Sequence, residues 1–411
     1  MRILYTIAIH TLYFLILAAS LFNRKAKLWI SGRKNWRRQF NAVNLNHPVI
    51  WFHAASLGEF EQGLPVMEAI KKSIPGCSIA VSFFSPSGFE VRKNSPHADF
   101  VFYLPLDTRY NALKLIRQLK PDAVFFIKYE FWHNFLDVIS SKGIPAYLLS
   151  GIFRQQQAFF KWYGWWFRKD LKTFKHIFVQ NELSANLLRM TGTDNVTITG
   201  DTRFDRVLSN ASRAVDLPII AEFTQGSVCI VAGSTWPADE NILAGYINRA
   251  APNVKFIIAP HEIEQSHIAR LVNSINKDLV LYSLAGSVPV KDKQVMIIDN
   301  IGLLSSIYRY GRIAYIGGGF GSGIHNLLEA AVYDIPVIFG PNHHKFNEAV
   351  ELLASGGGFT IAGSDEFGNI MNKLITLDQH YQYAANKAGE YIKANAGATA
   401  KVITHVLPGL K

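Results

Sequence analysis

Hydrophobic and polar positions divide the chain into three kinds of stretch. From Ile3 to Phe22 it runs for 20 residues without a charge, with Thr6, His10, Thr11 and Ser20 as mild polar interruptions. A helix of that length is long enough to cross a hydrocarbon core of about 30 Å. From Pro48 to about Arg206, short apolar runs alternate with segments of helical periodicity such as Phe60 to Lys72, Asn111 to Leu119 and Phe131 to Ser141. The apolar runs predict strands at Val49 to His53, Ser78 to Phe83, Phe100 to Tyr103, Ala123 to Ile127, Ala146 to Leu149, His176 to Val179 and Val196 to Ile198. Such alternation is the pattern of βαβ units around a parallel sheet.

Residues 207–226 lose the periodicity and carry Asn210, Ser212, Pro218 and Gly226, which reads as a linker. A second alternation follows, with strands expected at Val228 to Ala232, Val254 to Ile258, Leu279 to Tyr282, Val295 to Ile298, Ile313 to Ile316 and Pro336 to Phe339. Helices at Asp365 to Leu377 and Tyr381 to Ala394 close it. The expected organisation is therefore an anchor with a basic flank at 1–40, an α/β domain at 41–206, a linker at 207–226, a second α/β domain at 227–395 and a tail at 396–411. Two consecutive Rossmann-like sheets of similar size imply a ligand cleft between them.

Charge changes the picture mainly at the amino terminus. The net charge is +11, and residues 1–58 hold eight basic residues and no acid, which leaves +3 for the remaining 353. The basic cluster follows the apolar run, whereas a cleaved signal peptide has it in front. The positive-inside rule then expects residue 24 onward on the cytoplasmic side; a helix lying in the membrane interface stays open as an alternative. Charge beside an apolar segment points to a membrane surface rather than to nucleic acid. The aromatic patch Phe159 to Phe167, beside Lys161, Arg168 and Lys169, reads either as buried packing or as a surface next to lipid. Cys77 and Cys229 have no metal-ligand spacing and form no disulfide framework.

The first acid in the chain is Glu59, in Ala54-Ala55-Ser56-Leu57-Gly58-Glu59-Phe60, where a strand is expected to hand over to a helix. A carboxylate there, near Trp51, Phe52 and Phe60, has the setting for a raised pKa and general-base work. The plainer reading is a first-turn acid complementing the helix dipole. In the second half, Ile316-Gly317-Gly318-Gly319-Phe320-Gly321-Ser322-Gly323-Ile324-His325-Asn326-Leu327-Leu328-Glu329 runs from a strand through glycines into a helix. Open backbone N–H groups at such a junction suit a phosphate, and His325, Asn326 and Glu329 are expected on one helical face. The spacing matches neither G-x-G-x-x-G nor a P-loop. Other polar groups fall at predicted carboxyl ends of strands and would line the cleft: Ser56, Gly58, Ser85, Lys128, Glu130 and Arg203 in the first half, Ser234, Thr235, Pro260 and His261 in the second. His343 and His344 lack partners at metal-ligand spacing, so no metal site is expected. No G-x-S-x-G nucleophile motif occurs.

Taken together, S-x-G-E at Ser56 to Glu59, Y-L-P-x-D at Tyr103 to Asp107, E-x-W-x-N at Glu130 to Asn134, Q-N-E at Gln180 to Glu182, R-F-D at Arg203 to Asp205, Ser234-Thr235 and G-G-G…H-N-x-L-E-A-A ending at Ala331 resemble the Kdo transferases of lipid A biosynthesis. That resemblance implies a GT-B fold, an N-terminal membrane-anchor helix at the cytoplasmic face of the inner membrane, CMP-Kdo as donor, a phosphorylated lipid A precursor as acceptor, and no metal or other cofactor. It implies Glu59 as the base that deprotonates the acceptor hydroxyl, the loop Gly317, Gly318, Gly319 and Gly321 facing the CMP phosphate, Asn326 nearby and Glu329 on the ribose. Transfer would be a direct displacement with inversion. The chain departs from the family pattern at Lys128, His133, His261 and Leu327, where acid, proline, arginine and proline are usual. A GT-B enzyme using a UDP-sugar and a membrane-tethered nucleotide-binding protein without catalysis are the competing readings.

Overall fold

The computed structural model describes residues 2–40 and 43–410, so the boundary expected at residue 41 and the end of the tail at 411 lie outside the described residues. The chain divides into two compact units, Met1–Arg206 with Ala396–Lys411, and Val207–Asn395.

The first unit is built on a parallel sheet of β1 (Val49–Ala54), β2 (Ser78–Phe83), β3 (Phe100–Tyr103), β4 (Ala123–Ile127), β5 (Ala146–Gly151), β6 (His176–Val179) and β7 (Val196–Ile198). Its order is β3-β2-β1-β4-β5-β6-β7. The chain lays strands outward from β1 on one side, then returns to its other side with β4. The topological switch point therefore lies between β1 and β4, where α/β sheets bind ligands. Helices cover both faces, so β1 and β2 are buried at every position, which is why they read as unbroken apolar runs. Alternate residues serve opposite cores: Val49 and Trp51 pack with Phe126 and Phe135, Ile50 and Phe52 with Phe125 and Met67.

The second unit repeats the plan with β8 (Val228–Thr235), β9 (Val254–Pro260), β10 (Leu279–Leu281), β11 (Val295–Ile297), β12 (Ile313–Ile316), β13 (Val337–Phe339) and β14 (Gly358–Thr360). Its order is β10-β11-β9-β8-β12-β13-β14, which puts the switch point between β8 and β12. β14, only three residues long, has too short an apolar run to be read from sequence.

Three expectations change. The apolar run Ile3 to Phe22 forms a helix over Arg2–Ala19, 18 residues long, and among the described residues no helix is long and apolar enough to cross a membrane. The run stops because Asn23 caps the next helix, its side chain accepting from the N–H groups of Lys25 and Ala26. One face of the N-terminal helix docks on the first unit: Ile9 is buried, and the Tyr5 hydroxyl donates to buried Asp107 at 2.5 Å. Nor is the basic flank all surface, because buried Arg33 donates to the carbonyls of Leu104, Trp29 and Phe84.

Residues 207–226 are the second change, being mostly helical: Thr202–Ser212 runs across the unit boundary and Pro218–Thr224 follows. The third is the tail, which contains a helix, Ala398–Val406. Its Val402 and Val406 join the first unit's core, and Asp205 accepts from the N–H groups of Gly397 and Thr399, both at 2.6 Å.

Candidate active site

At the first switch point the chain leaves β1 through Ala55 and Ser56 into the helix Leu57–Ser73. Glu59 closes back on that start, accepting from the N–H of Ala55 at 2.5 Å and of Ser56 at 3.0 Å. The helix-start role is therefore present, yet it does not leave an ordinary carboxylate. Burial, and after it the charge of Glu130, push the Glu59 carboxyl up to about 7, against the opposing pull of the two N–H groups and Lys128.

Glu130 follows β4 across the same switch point. Its carboxylate is held by His53 Nε2 at 3.1 Å and by the Trp132 indole N–H at 2.6 Å, and His53 is fixed from its other nitrogen by Ser82 at 2.8 Å. Between these acids the backbone of Lys128 takes a left-handed φ of 62°, uncommon for a residue with a side chain and a recurrent feature of functional sites. The Lys128 charge acts on Glu59 and also on buried Asp201. Burial works to raise the Asp201 carboxyl, but Arg203, with its side chain at 2.8 Å and its N–H at 2.9 Å, holds it below the ordinary range. The first switch point thus presents an acid poised near neutrality among other charges.

Of the other predicted residues here, Ser85 caps the helix Pro86–Arg92. Gly58 is exposed, and a Cβ on it would meet nothing within 4 Å, so packing gives no reason for glycine there.

The second switch point brings the end of β8 against the glycine loop after β12. The loop's closeness to its neighbours explains two of its glycines. A Cβ on Gly317 would stand 2.2 Å from the Ser234 carbonyl oxygen, and one on Gly319 would stand 2.5 Å from the Gly340 nitrogen. Gly318 has φ 91°, which favours glycine. Several N–H groups expected to face an anion are spent inside the protein: Gly317 donates to Gly233, Gly318 to Asp239, and Gly321 and Gly323 to the Gly318 carbonyl. Among the described residues no hydrogen bond engages the N–H of Gly319, Phe320 or Ser322, and these remain as donors.

The helix after the loop is shorter than expected. It begins at Leu328 and ends at Ala331, so His325 and Asn326 lie outside it and do not share a helical face with Glu329. The Asn326 side chain delays the helix by accepting from the Leu328 N–H at 3.2 Å while donating to Glu329 at 2.9 Å. Beside the loop, Trp236, His261 and His325 form a ring stack, with centroids 4.7 Å apart for Trp236–His261 and 4.4 Å for His261–His325. The Trp236 indole donates to His325 Nε2 at 3.0 Å. Burial, then the neighbouring His261, keep the His325 imidazole below its usual range, so it stands neutral at pH 7 with its acceptor nitrogen filled. Thr235 is not free to meet a ligand through its hydroxyl, which donates to buried Glu240 at 2.9 Å. Pro260 ends β9, next to His261.

Sequence reasoning missed His53, Trp132 and Trp236 as parts of these sites. His53 hides inside an apolar strand and meets Glu130 only because β1 and β4 pair. Trp236 gave a signal in principle, because it follows a strand and precedes Pro237 at a helix start. Several of the family-like motifs prove architectural. Asp107 accepts from the N–H groups of Asn134 and Phe135 and so starts the helix His133–Ser141, while Asn181 caps Glu182–Arg189.

Two parallel-sheet units, each with polar groups gathered at its switch point, define a GT-B-like fold. The fold is similar to a UDP-GlcNAc 2-epimerase from Neisseria meningitidis, with TM-score 0.62 over 88% of this chain and 100% of that one at 18% identity. It is also similar to Anabaena HepE, with TM-score 0.51, 88% and 100% coverage and 13% identity. Sequence narrows the class. Residues 34–206 match the family model described as 3-Deoxy-D-manno-octulosonic-acid transferase (kdotransferase). The chain is 29% identical to the 3-deoxy-D-manno-octulosonic acid transferase of Aquifex aeolicus over 80% of its length and 86% of that protein. It is 25% identical to that of Chlamydia muridarum over 89% and 87%. In sequence the chain is similar to the Kdo transferases, over residues 34–206 by the family model and over most of its length by these relatives.

Proposed function

We propose that this enzyme transfers Kdo from CMP-Kdo to a phosphorylated, acylated lipid A precursor, by direct displacement with inversion and with Glu59 as general base. The observation that carries the reading is the state of Glu59. A carboxyl pushed up to about 7 beside fixed charges is matched to taking a proton from a sugar hydroxyl near neutral pH. In that step the acceptor O–H bond breaks, its proton passes to Glu59, the oxygen bonds to the anomeric carbon of Kdo, and CMP leaves with the bonding pair of the phosphate ester. The donor is assigned to the second unit, with the N–H groups of Gly319, Phe320 and Ser322 toward phosphate and Asn326 and Glu329 toward ribose. No metal is assigned a role.

The membrane enters this reading as a surface. The N-terminal helix exposes Ile3, Leu4, Ile7, Phe14 and Leu15 on the side not docked to its unit, as an interfacial helix does. We assign that side to the cytoplasmic face of the inner membrane. Mass spectrometry of the product from CMP-Kdo and a lipid A precursor tests the reading. Addition of Kdo is expected with CMP-Kdo and not with a UDP-sugar; no Kdo-bearing product would overturn it.

A further inference from the structure

The first unit contains a cavity of about 300 Å³ that the proposed transfer chemistry does not use. Its wall is mainly aromatic, with Tyr5 from the N-terminal helix, Tyr129 and Phe131 from the segment after β4, and Phe159, Trp166 and Phe167 from the aromatic stretch. That stretch folds as two short 3-10 turns, Ala158–Phe160 and Trp162–Trp165. It divides its rings between the two alternatives the sequence left open: Phe159 and Trp166 are buried, whereas Trp162 is 90% and Trp165 56% exposed.

Three polar side chains of the cavity wall are engaged elsewhere in the unit. Asp170 pairs with His133 at 2.7 Å, the Tyr5 hydroxyl donates to Asp107, and the Gln157 side chain accepts from the Arg154 N–H at 3.0 Å. A sugar or phosphate placed among these rings would give up its water for few partners; a hydrocarbon has no such water to give up. The size is at the lower end for ligand pockets, which suits a single chain rather than a ring system with substituents.

Its position supplies the second argument. One wall is Tyr129, two residues past the end of β4 at Ile127; β4 pairs with β1, and the helix that carries Glu59 starts just after β1, so the cavity opens at the switch point where the proposed base sits. Another wall is Tyr5, whose chain neighbours Ile3, Leu4 and Ile7 are exposed. Exposed Trp165, with the Lys169 ammonium 5.2 Å above its ring, belongs to the same aromatic stretch. Apolar surface, amphipathic tryptophan and lysine together are what a lipid headgroup boundary meets.

We propose that this cavity is an acyl-chain subsite that takes one fatty acyl chain of the acceptor while the acceptor's sugar hydroxyl lies at Glu59. The proposal rests on the reading that the acceptor is an acylated glycolipid. It makes the aromatic stretch a determinant of substrate choice: the depth of the cavity sets which chain length is preferred.

The test compares an acylated lipid A precursor, dispersed in detergent, with the same sugar backbone after its acyl chains have been removed, using CMP-Kdo as donor. Ala158→Phe fills the cavity and Phe167→Ala widens it. Each methylene excluded from an apolar site weakens binding roughly fourfold. Ala158→Phe is therefore expected to raise KM for the acylated acceptor about tenfold, leaving kcat and the KM for the deacylated backbone unchanged. Phe167→Ala is expected to move the preference toward longer chains in an acyl-length series. Equal effects of Ala158→Phe on both acceptors, or none on either, with the chain-length preference of Phe167→Ala unmoved, would overturn the subsite. Should Ala158→Phe fail to fold, the Phe167→Ala series decides alone. A wild-type protein that transfers no Kdo to either acceptor would remove the functional reading and the subsite together.

Discussion

The two switch points are built alike and behave differently. In the second unit most polar atoms near the glycine loop have found partners inside the protein, and the glycines at 317 and 319 are required because backbone passes within about a bond length or two of where a Cβ would sit. In the first unit the side chains are partnered as well, but they are charged groups crowded together. Glu59 carries a carboxyl displaced to about 7, Lys128 sits in a left-handed conformation, and Gly58 has open space around it. A satisfied loop is a scaffold that offers a few directed N–H groups. A tense cluster of charges is where proton chemistry is run. The proposed function places binding on the satisfied side and proton transfer on the charged one.

The largest effect should come from the tense side. Glu59→Gln keeps an acceptor for the Ala55 and Ser56 N–H groups, as glutamine does at this helix position, so the fold should hold. Turnover is expected to fall by about 10² to 10⁴ with CMP affinity, measured by calorimetry, unchanged. Retention of full activity would leave Glu59 a helix-start residue only.

Gly317→Ala tests the satisfied side. With the Ser234 carbonyl oxygen 2.2 Å from the added carbon, the loop or the end of β8 must shift, and the second unit should lose about 1–3 kcal/mol in denaturant unfolding. A protein of unchanged stability that merely binds CMP less well would mean that the glycine serves the ligand rather than the packing. Gly58→Ala is the matched control in the first unit. It should be neutral or stabilising by about 0.4–1 kcal/mol, and any rise in KM for the acceptor would then report close approach of substrate to that position.

How much of this was visible in the sequence follows from whether each feature is local. The buried parallel strands were, because burial on both faces leaves continuous apolar runs; Ser78–Phe83 and Ala123–Ile127 match residue for residue. Glu59 and the glycine loop were visible as a lone acid and a run of glycines at strand ends. What sets their chemistry was not. Glu130 reaches His53 only through β1–β4 pairing, and the second unit's ring stack joins residues from three separate loops. The return of Val402 and Val406 to the first core depends on contacts nearly 200 residues away in sequence, through Asp205 and Thr399. The late helix start at Leu328 turns on a side chain, Asn326, competing with the backbone, which periodicity does not register. The N-terminal run looked long enough to span a bilayer because its apolar length does not reveal that Tyr5 and Ile9 dock on the protein.

The most direct measurement is the pH dependence of kcat/KM for the wild type, Glu130→Gln and Lys128→Gln. A base works ionised, so the rate should climb as pH rises through the Glu59 pKa, with the acid limb near pH 7 in the wild type. Glu130 raises that pKa and Lys128 lowers it, so Glu130→Gln should move the limb to lower pH and Lys128→Gln to higher pH. An acid limb in the ordinary carboxylate range, or one that neither substitution moves, would contradict the assignment of Glu59 as the base.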